Sequence, residues 1–156
     1  MLRIKAKAKQ KMFDHCEQDR SKEACGYLVG QNQVVTDAHA IRNMNADATS
    51  YEMDPGEQLA LQKQLRKQNY EAETIAHGVL QKHLKRLKPP LEEMAIYHSH
   101  VATEAYPSRR DIDRATAIQD FFDGYYVIVT LKDSVPRARA FKIQDGNVSE
   151  EPLVEA

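Results

Sequence analysis

Two cysteines in 156 residues, Cys16 and Cys25, are too few and too far apart to form a CxxC redox or zinc element. They argue for a reducing compartment rather than a disulfide-built scaffold. No apolar run approaches the roughly 18 residues a membrane span needs. Met1-Leu2-Arg3-Ile4-Lys5 alternates charged and apolar side chains with no apolar segment behind it, so a secretory leader is not expected. Charge of neither sign is in excess: 22 Lys and Arg against 23 Asp and Glu leave a formal charge of -1. That balance argues against a dedicated nucleic-acid binder or a membrane-surface protein. The expectation is an intracellular, cytoplasmic protein that binds neither nucleic acid nor membrane.

What the chain does contain suits one compact unit. With 42% hydrophobic and 29% charged residues it can bury a core, and its length implies no second domain. Residues 1–149 are expected to form the domain and 150–156 a loose tail. The pattern predicts a helix from about 7 to 20, then strands over Cys25 to Val29 and Val34 to Ala40 around a turn at Gly30-Gln31-Asn32. A polar loop follows, with a short strand near Tyr51 to Met53. Asp54-Pro55-Gly56-Glu57 reads as a helix start, with an N-cap, Pro at the first position and an acid at the third. Helical pattern runs from there toward Leu87, with breaks expected near Asn69 and Gly78. Pro89-Pro90 stops it. Tyr125 to Leu131 and Arg139 to Ile143 read as strands, the latter followed by a hairpin at Asp145-Gly146 and a short strand at Val148. The order defines an α/β fold with a central mixed sheet flanked by helices.

The chemistry concentrates in one stretch. Met94-Ala95-Ile96-Tyr97 is a short apolar run that reads as a buried strand leading into His98-Ser99-His100. Alternate side chains on a strand share a face, so His98 and His100 project together while Ser99 points away. Ser108-Arg109-Arg110-Asp111 then reads as an N-cap with an acid at the third helical position. Asp111 sits in the first helical turn, where the helix dipole favours the ionised carboxylate that a metal requires. Two histidines and one carboxylate leave the fourth position of a tetrahedral Zn²⁺ open, as in catalytic rather than structural sites.

These residues resemble the signature of the JAMM metalloproteases, also called the MPN-plus family, in which an upstream glutamate is followed by His-x-His-x(10)-Asp with an intervening Ser. Here the match is His98-Ser99-His100-x(7)-Ser108-x(2)-Asp111, and the glutamate falls on Glu23, within Lys22-Glu23-Ala24-Cys25-Gly26. The resemblance covers roughly residues 1 to 143. It departs from many relatives in placing Val101 where Pro commonly follows the second histidine, without loss of a ligand. It implies a cytidine-deaminase-like mixed α/β fold, zinc held by His98, His100 and Asp111, Glu23 as general acid/base, and Ser108 supporting the oxygen that becomes negative. It also implies hydrolysis of a peptide or isopeptide bond. Eukaryotic relatives remove ubiquitin from lysines. Short single-domain prokaryotic relatives process ubiquitin-like sulfur carriers, cutting after a C-terminal Gly-Gly, and this chain resembles the second group. Such a tail would bind extended beside a sheet edge, its glycines small enough for a narrow cleft.

Each residue also has a plainer reading. Ser108 and Asp111 form a helix cap whether or not a metal binds, and a strand-end histidine pair often does nothing but hydrogen-bond. His15, His39, His77 and His83 have no partner at ligand spacing and read as surface or locally bonded side chains. Cys25 beside Gly26 reads as a small core residue. Two other functions compete: an interaction module of the same fold that needs no metal, and a zinc amidohydrolase, including RadC-like proteins, acting on a different amide. A nucleobase deaminase is disfavoured because His-x-Glu and Pro-Cys-x-x-Cys are absent. The basic stretch Lys82 to Lys88, with its Leu80, Leu84, Leu87 stripe, reads as core packing or as a substrate or homodimer surface.

Overall fold

The computed structural model describes residues 1–45, 47–79 and 89–156. Their order is β1 (Leu2–Ile4), α1 (Ala6–Gln18), β2 (Cys25–Gln31), β3 (Val34–Ile41), α2 (Pro55–Val79), β4 (Glu92–His100), α3 (Arg109–Ile118), β5 (Tyr125–Thr130), β6 (Arg137–Gln144), β7 (Asn147–Glu151) and β8 (Leu153–Glu155). The strands form one eight-stranded sheet in the order β7-β6-β5-β4-β2-β3-β1-β8. It is mixed: β4 runs parallel to β5, and β1 parallel to both β3 and β8.

Two hydrophobic layers explain the strand patterns. On one face Ala8, Met12 and Cys16 of α1 pack on Leu28, Val35, Ala95, Tyr97, Val127 and Val129. On the other, Leu61 and Leu65 of α2 and Ala115 of α3 cover Cys25, Tyr27, Ile96, Ile128 and Phe141. β4 and β5 lie at the middle of the sheet with both faces covered, so they read as near-continuous apolar runs rather than as alternation. Among the described residues no helix is long and apolar enough to cross a membrane.

Several expectations change. β2 continues through Gly30 to Gln31, and the turn falls on Asn32 and Gln33, both at positive φ (54° and 61°). Gly30 serves close packing rather than the turn: a Cβ there would collide with the Val34 carbonyl oxygen and lie 2.6 Å from Met94 Sδ. The region near Tyr51 contributes only an isolated bridge, Asn43 to Met53. α2 passes through Asn69 and Gly78 without a break. Asn69 is spared because its side chain is used outside the helix, its Nδ2 donating to Leu91 O (3.0 Å) and its Oδ1 accepting from Leu91 N (2.8 Å). That tertiary clamp ties α2 to the start of β4 and outweighs a weak local helix propensity. α3 ends at Ile118.

The last residues are not a loose tail. Glu151 closes β7, and Leu153, Val154 and Glu155 pair in parallel with Leu2, Arg3 and Ile4. The stabilisation is backbone pairing along the edge strand, with the Leu2 N–H donating to Pro152 O (2.8 Å) and the Ala156 N–H to Ile4 O (2.9 Å). The basic run Lys82 to Lys88, the Leu80, Leu84, Leu87 stripe and the side chains of His77 and His83 lie outside the described residues.

Candidate metal centre

The C-terminal end of β4 carries His98 and His100 on the face covered by α3, as the strand period requires. Both are buried, at 1% and 5% exposure. Ser108 is the N-cap of α3: its Oγ accepts from the Asp111 N–H (3.2 Å) while Asp111 Oδ2 accepts from the Ser108 N–H (2.7 Å). This reciprocal cap holds the Asp111 carboxylate against the histidines. The plain reading of Ser108 and Asp111 as a helix cap and the reading of Asp111 as a metal donor are therefore compatible, because one carboxylate meets both demands.

The three donors converge. His98 Nε2 and His100 Nε2 are 3.1 Å apart, His100 Nε2 is 3.2 Å from Asp111 Oδ2, and His98 Nε2 is 3.3 Å from Asp111 Oδ1. A tetrahedral Zn²⁺ with bonds of about 2.0–2.1 Å spaces its ligands by about 3.3–3.4 Å. The His98–His100 and His100–Asp111 separations are close to that spacing, His98 meets the other oxygen of the Asp111 carboxylate, and among the described residues this is the one cluster of His, Cys, Asp and Glu donors able to hold a metal ion. The mixed nitrogen and oxygen set suits zinc. His100 Nδ1 donates to the Glu104 carbonyl (2.8 Å), which leaves Nε2 with the lone pair a metal needs. Glu104 lies in the loop that follows Val101, so the departure at that position leaves this support in place.

Electrostatics favour the metal-ready forms of His98 and Asp111. Burial works against an ionised Asp111, but the hydrogen bonds from His100, His98 and Ser108 outweigh it and hold the carboxyl well below the usual carboxylate range. Burial lowers His98 toward its neutral form. Burial would also lower His100, yet its hydrogen bonds to Asp111 and to the Glu104 carbonyl raise it.

Glu23 sits just before β2, and the pairing of Cys25 with His98 brings it to this end of the sheet. The residue is 5% exposed, and its Oε2 is buried without a hydrogen-bond partner. Burial pushes its pKa up to about 7, with His100 lowering it and Asp111 raising it as neighbouring charges. A buried carboxylate poised near neutrality beside a donor triangle is the form a general base takes.

The sequence did not single out Ser99 or Asn43. Ser99 does point away from the histidines, and there its Oγ accepts from the Ala24 N–H (2.8 Å) while its own N–H donates to Ala24 O (2.9 Å). Asn43 Nδ2 donates to the Glu23 carbonyl (2.9 Å). Together they tether the backbone of Glu23 and of Ala24, the residue after it. Because Ser99 is fully buried, Ser99→Ala leaves the Ala24 N–H unsatisfied and is expected to destabilise by about 1–3 kcal/mol in urea melts, with zinc content unchanged. The remaining candidates have local roles. His15 Nδ1 meets Tyr97 Oη (2.7 Å), His39 faces Asp37 (3.3 Å), and both cysteines are buried free thiols. Gly26, next to Cys25, admits the ring of Tyr97, whose Cε1 a Cβ would approach to 2.6 Å.

A central mixed sheet with this donor triangle at the end of its middle strand defines a JAB/MPN-type domain. The family described as prokaryotic homologs of the JAB domain matches residues 5–144. The chain is 33% identical over 156 residues to the CysO-cysteine peptidase of Mycobacterium tuberculosis, spanning 98% of this chain and 90% of that protein. It is 29% identical over 93 residues to a desampylase of Pyrococcus furiosus, covering 60% of this chain and 51% of that protein. A solution structure from Desulfitobacterium hafniense matches with a TM-score of 0.74 at 26% identity, covering 100% of this chain and 93% of that one. A JAB1/MPN domain protein of Archaeoglobus fulgidus, at a TM-score of 0.55 and 13% identity over 100% of this chain and 97% of that one, shares the fold. The chain belongs to the family of prokaryotic JAB-domain homologs.

Proposed function

We propose that this member of a peptidase family is a zinc-dependent enzyme that cuts the amide bond after the C-terminal Gly-Gly of a ubiquitin-like sulfur-carrier protein. The observation that carries the reading is the convergence of His98, His100 and Asp111, in contacts of 3.1–3.3 Å, beside the buried Glu23, whose Oε2 has no hydrogen-bond partner. His98 and His100 would hold the metal through Nε2 and Asp111 through its carboxylate. Zinc, when bound, supplies a Lewis acid that makes water a nucleophile near neutral pH.

The rest of the chemistry belongs to side chains of this chain. Glu23 takes a proton from the attacking water as its oxygen bonds the amide carbon, then delivers that proton to the departing nitrogen as the C–N bond breaks. The products are a carboxylate and a free amine. The Ser108 hydroxyl is exposed, and its oxygen already accepts from the Asp111 N–H, so its own hydrogen is free to donate to the carbonyl oxygen as that oxygen gains charge. Ser108→Ala is expected to keep zinc, lower kcat by about 10²- to 10³-fold and cost about 1 kcal/mol of capping. Steady-state kinetics beside thermal melts separate these effects. A lowered melting point with normal kcat would leave Ser108 a cap alone.

Relatives named CysO-cysteine peptidase and desampylase support the substrate class, and the wider coverage of the former favours release of a small C-terminal group over cleavage of a protein–protein isopeptide link. The test is incubation of the zinc-loaded protein with a ubiquitin-like carrier extended by one residue beyond Gly-Gly, followed by intact-mass analysis. Chelator-sensitive loss of that residue supports the reading. Bound zinc without cleavage discards the substrate and keeps the site.

A further inference from the structure

The two histidines are secured differently. His100 has its outer nitrogen tied to the Glu104 carbonyl (2.8 Å), whereas His98 Nδ1 is buried without a hydrogen-bond partner. A histidine lacking that second bond is free to turn about its Cβ–Cγ axis unless packing prevents it. The packing at His98 is specific. The Tyr51 ring stacks on the imidazole with centroids 4.6 Å apart and planes 28° apart, and the Arg114 guanidinium carbon lies 4.3 Å from the Tyr51 ring centroid. His98 and Arg114 both lie against that ring.

The layers come from three different elements. Tyr51 is 4% exposed and belongs to the loop closed by the Asn43–Met53 bridge, the loop whose Asn43 also holds the Glu23 carbonyl. Arg114 stands three residues beyond Asp111 on α3, hence on the same helical face. No carboxylate among the described residues forms an ion pair with it. One turn of α3 therefore presents a donor to the metal triangle and, beside it, a cation that packs on the Tyr51 ring stacked against another donor.

Resting on the zinc reading of the site, we propose that Tyr51, backed by Arg114, is a positioning residue that holds the His98 imidazole for the metal by stacking, in place of the hydrogen bond His98 lacks. A Tyr51 that merely filled core would affect stability alone. One that positions His98 must affect metal affinity in protein that is still folded.

The experiment measures zinc dissociation constants by chelator competition, and the visible absorption of the Co²⁺-substituted protein, for wild type, Tyr51→Phe, Tyr51→Leu and Arg114→Gln, each checked for folding by thermal melting. Tyr51→Leu is expected to bind zinc about 10- to 100-fold more weakly, as for loss of other supports of metal-ligating histidines, with altered cobalt bands. Tyr51→Phe keeps the stacked ring and should stay within about 3-fold of wild type. Arg114→Gln, which leaves the core intact, should weaken zinc about 3- to 10-fold. Folded Tyr51→Leu with wild-type affinity and cobalt spectrum would overturn the proposal. Should Tyr51→Leu fail to fold, Arg114→Gln decides, and an affinity equal to wild type counts against it. Wild type that takes up no zinc removes the proposed function as well, whereas zinc-binding wild type with unaffected variants removes only this inference.

Discussion

Glu23→Gln is expected to lower kcat by about 10³-fold or more while leaving one zinc per chain. General acid–base groups contribute about 10²–10⁴-fold, and in the proposed mechanism Glu23 serves both halves of the proton transfer. Glutamine keeps the shape and the polarity but cannot accept the proton. The same variant should also make the metal-free protein more stable. Burial raises the folded-state pKa of Glu23 from 4.5 to about 7, so the protonated carboxyl is the form the fold prefers.

The sign follows from linkage. A carboxyl whose folded-state pKa is raised contributes stability that is complete below pH 4.5 and is lost as pH climbs through 7. At about 1.4 kcal/mol for each pH unit, the full loss by pH 8 is on the order of 3 kcal/mol. For a domain of this size that corresponds to about 6–10 °C in Tm. Glu23→Gln should therefore melt higher than wild type at pH 8 and close to it at pH 4.5, both measured with chelator present. A variant with full turnover removes Glu23 from the proton-transfer role. A variant without the pH-dependent gain in Tm shows instead that the carboxyl is solvated.

Loss of a donor should have the other large effect. His100→Ala removes one corner of the triangle and is expected to reduce zinc from one per chain to background in elemental mass spectrometry, with turnover lost alongside. Asp111→Asn is the more telling partner. Asparagine still offers an oxygen to the Ser108 N–H, so the cap of α3 survives, but it lacks the anionic donor that completes the set. A folded Asp111→Asn protein with a near-normal melting temperature and zinc affinity at least ~10³-fold weaker would separate the two roles of that carboxylate. Retention of tight zinc by either variant would mean that the metal sits elsewhere.

The parts of the site that were legible in advance are those joined by local periodicity. His98 and His100 share a face because a strand alternates, and Ser108 and Asp111 cap a helix because their spacing matches its first turn. Both elements lie close together along the chain, so spacing alone implied a shared site. The buried strands β4 and β5 announced themselves by apolar runs, and the Asp145-Gly146 hairpin by its turn residues.

What the sequence by itself determined is therefore the α/β class, the central strands, and the residue types and spacing of a two-histidine, one-carboxylate donor set, whereas Glu23 as a candidate base followed only from the family resemblance. The tertiary structure alone decided how far apart those donors stand, that Glu23 Oε2 is buried without a partner, that Ser99 and Asn43 bond the backbone at Ala24 and Glu23, and that Tyr51 stacks on His98 with Arg114 against its ring. It also decided that α2 runs on through Asn69 and that the three-residue strands β1 and β8 pair across nearly the whole chain length. The physical reason is common to these features. Each depends on a partner distant in sequence, and a three-residue strand, a lone tyrosine or a serine between two histidines has no period or spacing of its own to reveal which partner the fold will supply.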